Sequence, residues 1–253
     1  MANKKYKLAG HIFEMQCLYD SFEVLAREFE WKDPQNGMEI PEKADLVRIE
    51  PEDIAFEKQR VNSSMSENKV EIYAVHRKVC RILADYRTIM FHSSALAVDG
   101  KAFLFAAPSG TGKSTHARLW REVYGDRVTM VNDDKPFLRI EDSVIAYGTP
   151  WNGKHHLGTN ISVPVAGICI LERGTENRIK RISSIEAIPF LLGQTYYTED
   201  AQAIRNVISL TMEMAKKVPI WKMECNMEKD AAETAYQAMI GSTDAESRIG
   251  RFK

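Results

Sequence analysis

The residues best suited to chemistry lie in one short run, Ala107-Pro-Ser-Gly-Thr-Gly-Lys-Ser-Thr115. It follows the pattern G-x-x-x-x-G-K-[ST] at every fixed position but the first. Gly110 and Gly112 can take positive φ, which turns successive backbone N–H groups toward one anion. A helix expected from about Lys113 aims the positive end of its dipole at the same place. Lys113 supplies a mobile cation for β- and γ-phosphates, the Ser114 hydroxyl can ligate Mg²⁺, and Thr115 can reach the α-phosphate. Ser109, Gly110, Thr111, Gly112, Lys113, Ser114 and Thr115 are thus the expected nucleotide-binding residues. Ala107 replaces the first glycine of the pattern; a negative φ at the end of a strand accommodates it.

A phosphate-binding loop does not choose a reaction. Asn132-Asp133-Asp134 comes after the loop at the end of an apolar stretch, where a Mg²⁺-directed carboxylate belongs in such sheets. Adjacent side chains on an extended backbone point opposite ways, so one Asp is expected toward the metal and the other toward an acceptor hydroxyl. His92, on the strand before the loop, can approach the pair and orient a carboxylate. Gly148–Asn160 is the natural acceptor-side loop: its glycines give mobility, Trp151 can stack on a ligand, and Lys154 can neutralise transferring phosphate charge.

Periodicity supplies the frame. Strands are expected over Lys7–Cys17, Ala44–Ile49, Thr88–Val98, Lys101–Ala106, Arg127–Val131, Val163–Leu171 and Ile220–Glu224, with a weaker one near Ile54–Val61. Asp99-Gly100 reads as a hairpin turn, and Phe137–Ile140 with Val144–Tyr147 as a second hairpin. Helices are expected at Ser21–Phe29, Val70–Tyr86, Lys113–Tyr124, Ser184–Leu192, Asp200–Lys217 and Met227–Ile240. Lys32–Gly37 is a turn-rich patch, Asn62–Asn68 a linker, and Gly241–Lys253 a solvated tail. The division is then an N-terminal α+β region over 1–65, a nucleotide-binding domain over 66–241, and the tail over 242–253. Hairpins mixed with helices exclude a purely alternating layout, so the fold class is α/β with a mixed sheet.

The 253 residues carry a net charge of -1, with 44% hydrophobic and 27% charged residues, which argues against a nucleic-acid partner. No apolar stretch is long enough for a membrane span, and Met1–Phe13 has no apolar core of signal-peptide length. Cys17, Cys80, Cys169 and Cys225 are scattered, which fits a reducing cytoplasm. His155-His156 has no acidic or Cys partner at ligand spacing and reads as a loop pair. Arg178 and Arg181 read as a solvated charged face.

From His92 to Asp134 the sequence resembles the catalytic domain of HPr kinase/phosphorylase, a bacterial serine kinase. Ser109, Gly110, Gly112, Lys113 and Ser114 stand at the matching loop positions, with His92, Asp133 and Asp134 matching outside it. The Ser109–Lys113 stretch is also similar to the loop of ATP-dependent phosphoenolpyruvate carboxykinase. The resemblance implies a P-loop core of the HPr kinase and carboxykinase type, ATP and Mg²⁺ as cofactors, Asp133 as general base, Asp134 with Ser114 on the metal, and His92 supporting the base. Thr115 stands where the HPr kinases have Glu. Gly148–Lys154 instead resembles smaller HPr-kinase-like proteins that often accompany peptide-modification genes.

The expected activity is transfer of the γ-phosphoryl group of ATP to a hydroxyl on a peptide, protein or small molecule, through Asp133, His92, Lys113 and Lys154. The alternatives are a nucleotide-sensing binding module and a carboxykinase-like or NTP-hydrolysing enzyme. Oligomeric state stays open, a homo-oligomer included.

Overall fold

The computed structural model describes residues 4–32, 44–62 and 64–249. Most of the turn-rich patch over 32–37 lies outside them.

Lys4–Leu8 (β1) and His11–Gln16 (β2) form an antiparallel hairpin, and Asp45–Arg48 (β3) pairs parallel to β2. The single strand expected over 7–17 is therefore two. Ala9 (φ 47°) and Gly10 (φ 83°) turn the chain, a two-residue turn whose left-handed backbone suits the twist of a hairpin. Ser21–Leu25 (α1) and a 3₁₀ turn over Arg27–Phe29 come next. Pro51–Lys58 (α2) is a helix where a strand was expected near Ile54. Pro51 sits in its first turn, and the Glu50 side chain and Asp53 cap it reciprocally, a start signal stronger than the short apolar pattern. Arg77 ties it down through Asp53 (2.9 Å) and Glu57 (2.6 Å).

Arg77 belongs to Glu67–Asp85 (α3), which buries Val70, Ala74, Val75, Val79 and Leu83 at helical spacing. That face packs on Tyr6, Phe13, Phe22 and Val47 of the N-terminal region and on Phe137 and Trp151 of the later chain in one hydrophobic cluster. The N-terminal region thus shares a core with the later part of the chain.

The expected strand 88–98 is also split. Thr88–Met90 (β4) and Ser94–Val98 (β5) go to distant positions of one large sheet, with a break at Phe91-His92-Ser93. The other strands are Lys101–Ala106 (β6), Val128–Asn132 (β7), Phe137–Ile140 (β8), Val144–Tyr147 (β9), Ser162–Arg173 (β10), Arg178–Ile182 (β11) and Ile220–Cys225 (β12). Their order is β4-β8-β9-β10-β6-β5-β7, with β12 and then β11 branching from the far half of β10. β10 runs parallel to β6 and β12 and antiparallel to β9, so the sheet is mixed. It curls until β7 nears β4 again: Phe91 N donates to Pro136 O (3.1 Å) and Ser93 N to Asp134 O (3.2 Å). β11, unexpected from the sequence, is a charged edge strand whose alternation of Arg and Lys with Ile conceals its pairing with β12.

Lys113–Tyr124 (α4) and Asp230–Ile249 (α7) cover one face of the sheet, and Ser184–Leu192 (α5) and Ala201–Lys217 (α6) the other. Successive β6 residues alternate accordingly, Phe103 and Phe105 toward α4, Leu104 and Ala106 toward α6. Burial on both faces explains why the central strands are apolar throughout. The last helix runs to Ile249 instead of stopping at Ile240, since one internal glycine, Gly241, costs a helix only about 1 kcal/mol. No helix among the described residues is long and apolar enough to cross a membrane.

Candidate functional site

The loop after β6 is shaped by its glycines. Gly110 (φ 76°) and Gly112 (φ 119°) occupy backbone regions that favour glycine, and a Cβ at either would meet open space. The requirement is thus one of backbone conformation. α4 begins at once at Lys113 and ends at Gly125 (φ 54°). Beneath it Trp120 packs on Phe103 and Phe105, and its indole N–H donates to His116 Nε2 (3.0 Å). Burial pushes the His116 imidazole down to about 4, so it is a neutral acceptor in the core.

Ala107, the departure from the motif, is fully buried and is absent from the residues with positive φ. Its carbonyl accepts a hydrogen bond from Lys113 Nζ at 3.0 Å. The lysine is thereby folded over its own loop, buried and with its pKa lowered by burial against the opposing pull of Asp134. Arg173, at the end of β10, donates to Gly110 O at 2.7 Å and holds the loop from the opposite side.

The acidic pair hangs on a residue without charge. Asn132, the last of β7, is fully buried. Its Oδ1 accepts from Asp134 N (2.8 Å) and Lys135 N (2.6 Å), and its amide donates to Thr149 Oγ1 (3.0 Å). Thr149 Oγ1 in turn donates to Lys135 O at 2.9 Å. The strand ends at Asn132 because that side chain takes over the pairing of the next two backbone N–H groups, as Asn does in turns. The pair therefore sits on a bend, and both carboxylates face one cleft.

The two carboxylates have different partners. Asp133 Oδ1 accepts from Gly153 N at 2.6 Å, and its Oδ2 takes no hydrogen bond among the described residues. Asp134 Oδ1 lies 3.2 Å from His92 Nε2, and Oδ2 pairs with Lys135 Nζ. Burial would raise the Asp134 carboxyl, but the hydrogen bonds from His92 and Lys135 and the Lys135 charge outweigh it and hold it far below the usual carboxylate range. His92 thus stands on the second Asp, not on the first as the resemblance implied. Its place in the chain break between β4 and β5, not on a continuous strand, directs it there.

These groups line one cleft of about 500 Å³. His92, Ser109, Gly110, Gly112, Lys113, Ser114, Thr115, Asp133, Asp134 and Lys154 of the sequence candidates all border it; Thr111 borders an adjoining pocket beside Arg173. His155, read from sequence as an ordinary loop residue, also lines it. Trp151 does not. It is buried against Phe22, His76 and Phe137, with its indole N–H on Ile72 O (3.2 Å), so it anchors the loop to α3 and is not available to a ligand in this cleft. Arg178 and Arg181 sit on β11 and border none of these pockets. Asn132, Thr149, Lys135 and Arg173 escaped the sequence reading; the Asn before the two Asp was the one visible signal.

Residues 59–239, which span the cleft, match the model of the family described as SynChlorMet cassette protein ScmC. The chain belongs to that family. Its description names no activity. No curated protein matches the chain. Among solved structures, the Hpr(Ser) kinase/phosphatase from Coxiella burnetii aligns with this ScmC-family chain at a TM-score of 0.35 and 10% identity, covering 63% of this chain and 98% of that one. The likeness is weak, and the functional reading rests on the cleft.

Proposed function

We propose that this chain transfers the γ-phosphoryl group of ATP to a hydroxyl acceptor. The observation that carries the reading is the convergence of the Ser109–Thr115 loop, Lys113, Asp133, Asp134 and His92 on a single cleft. Positioning and charge neutralisation do most of the work in phosphoryl transfer, and these are the group types it needs.

The N–H groups around Gly110 and Gly112 and at the start of α4 would cradle the phosphates, with Lys113 Nζ moving from Ala107 O to a phosphate oxygen. Ser114 Oγ and Asp134 would hold Mg²⁺, whose protein ligands need number only one or two when phosphates and water complete the shell. When bound, the ion supplies charge neutralisation on the β- and γ-oxygens. A carboxylate kept ionised by His92 and Lys135 suits a metal and makes a poor base, so His92 is a positioning residue for Asp134. Asp133, with Oδ2 uncommitted, accepts the proton as the acceptor oxygen attacks phosphorus and the bond to the β-phosphate oxygen breaks. Lys154, on the cleft wall, steadies the transferring group.

Incubation with γ-labelled ATP, Mg²⁺ and hydroxyl-bearing peptides and small molecules tests this. Label should reach an acceptor and fall about 10²–10⁴-fold in Asp133→Asn with ATP binding retained. Failure of the wild-type chain to bind ATP, or undiminished transfer in Asp133→Asn, would overturn the reading.

A further inference from the structure

Asp133 faces a second cavity. A pocket of about 430 Å³ shares Ser114, Thr115, Asp133 and His155 with the phosphate cleft and continues along the flank of α4. Its floor is apolar, from Ala117, Met130 and Leu157. Its far wall carries Arg118 and Arg121. Arg118 is paired with Glu122. Arg121 makes no ion pair or side-chain hydrogen bond among the described residues, and its Nε is shut away from solvent without a partner. Arg121 thus borders the pocket without an acidic partner, and a planar guanidinium matches a carboxylate better than any other common group.

Among the described residues, two pockets beside the loop and the start of α4 include Asp133, and one of these is the cleft proposed above for the phosphates. The pocket beside Arg173 does not touch Asp133. If Asp133 takes the acceptor proton, the body of the acceptor belongs in the remaining Asp133 cavity. We infer that this cavity binds the acceptor and that Arg121 recognises a carboxylate carried by it, a step that rests on the transfer reading above. Seven helical residues separate Ser114 from Arg121, about 10 Å along the axis. An extended peptide spans that in about three residues. The matching ligand is a peptide with a hydroxyl and, about three residues from it, a carboxylate.

Calorimetric titration of the full chain tests it with three peptides of equal length that carry one Ser and, three residues from it, Asp, Asn or Lys. The Asp peptide should bind ten-fold or more tighter than the other two. That preference should vanish in Arg121→Gln and be partly restored in Arg121→Lys, with ATP affinity within about twofold of wild type in both. Equal binding of the three peptides, or a preference that survives in Arg121→Gln, overturns the inference. The same probes assayed with γ-labelled ATP separate it from the transfer reading. A carboxylate preference without transfer to any acceptor sinks the kinase and leaves the pocket, whereas transfer without the preference does the reverse.

Discussion

Gly153 donates its backbone N–H to Asp133 Oδ1 at 2.6 Å, across twenty residues of chain. A larger residue would displace the carboxylate: a Cβ there would lie 2.9 Å from Oδ2 and 3.1 Å from Cγ of Asp133. The acceptor-side loop and the proposed base are thus set by one contact, and positioning errors of about 1 Å in such sites cost about 100-fold in rate. Gly153→Ala should therefore lower phosphoryl transfer about 100-fold while ATP affinity stays within threefold. Steady-state kinetics beside nucleotide titration reads both; unchanged transfer would detach Asp133 from the chemistry.

Asn132 offers a test of architecture. Asn132→Ala strands the N–H groups of Asp134 and Lys135 in a partly buried turn. Each orphaned group costs about 1–3 kcal/mol, so a loss of at least about 2 kcal/mol is expected. Urea denaturation measures it. Asn132→Asp keeps the acceptor but loses the donor to Thr149, and should also destabilise.

His76 makes acid stability predictable. It is buried among Phe137, Trp151 and Tyr196. Burial, assisted by the Lys135 charge, pushes its pKa down to about 3. A depressed folded pKa means that the unfolded chain binds the proton first. The fold therefore keeps full stability above about pH 6.5, the ordinary histidine value, and loses it toward pH 3. One such group contributes a slope of at most about 1.4 kcal/mol per pH unit. Denaturation curves between pH 7 and 4 should be flatter for His76→Phe than for wild type by up to that slope, and parallel curves would count against a neutral His76.

Ala107→Gly restores the motif without need. Since Ala107 has no positive φ but is fully buried, glycine there adds unfolded-state freedom and removes a buried methyl, a loss of about 1–2 kcal/mol. ATP affinity should stay within about twofold, because the contact to Lys113 Nζ comes from a backbone carbonyl. A large gain in affinity would show that Ala107 compromises the loop.

The local rules of the chain determined the loop, the helix after it, the two tight hairpins at Asp99-Gly100 and Glu141-Asp142-Ser143, and the acidic pair. Each is written within a dozen residues, where glycine conformation, helix starts and strand alternation act. Tertiary structure decided what those rules could not reach. A run as apolar as Thr88–Val98 reads as one strand until the curl of the sheet draws β4 and β5 apart at His92. Trp151 reads as an exposed loop aromatic until α3 covers it. Which carboxylate receives His92 depends on a backbone bend made by Asn132, whose partner Thr149 is seventeen residues away. Contacts over such separations depend on where the sheet brings the chain back, and that is set by the packing of the whole core.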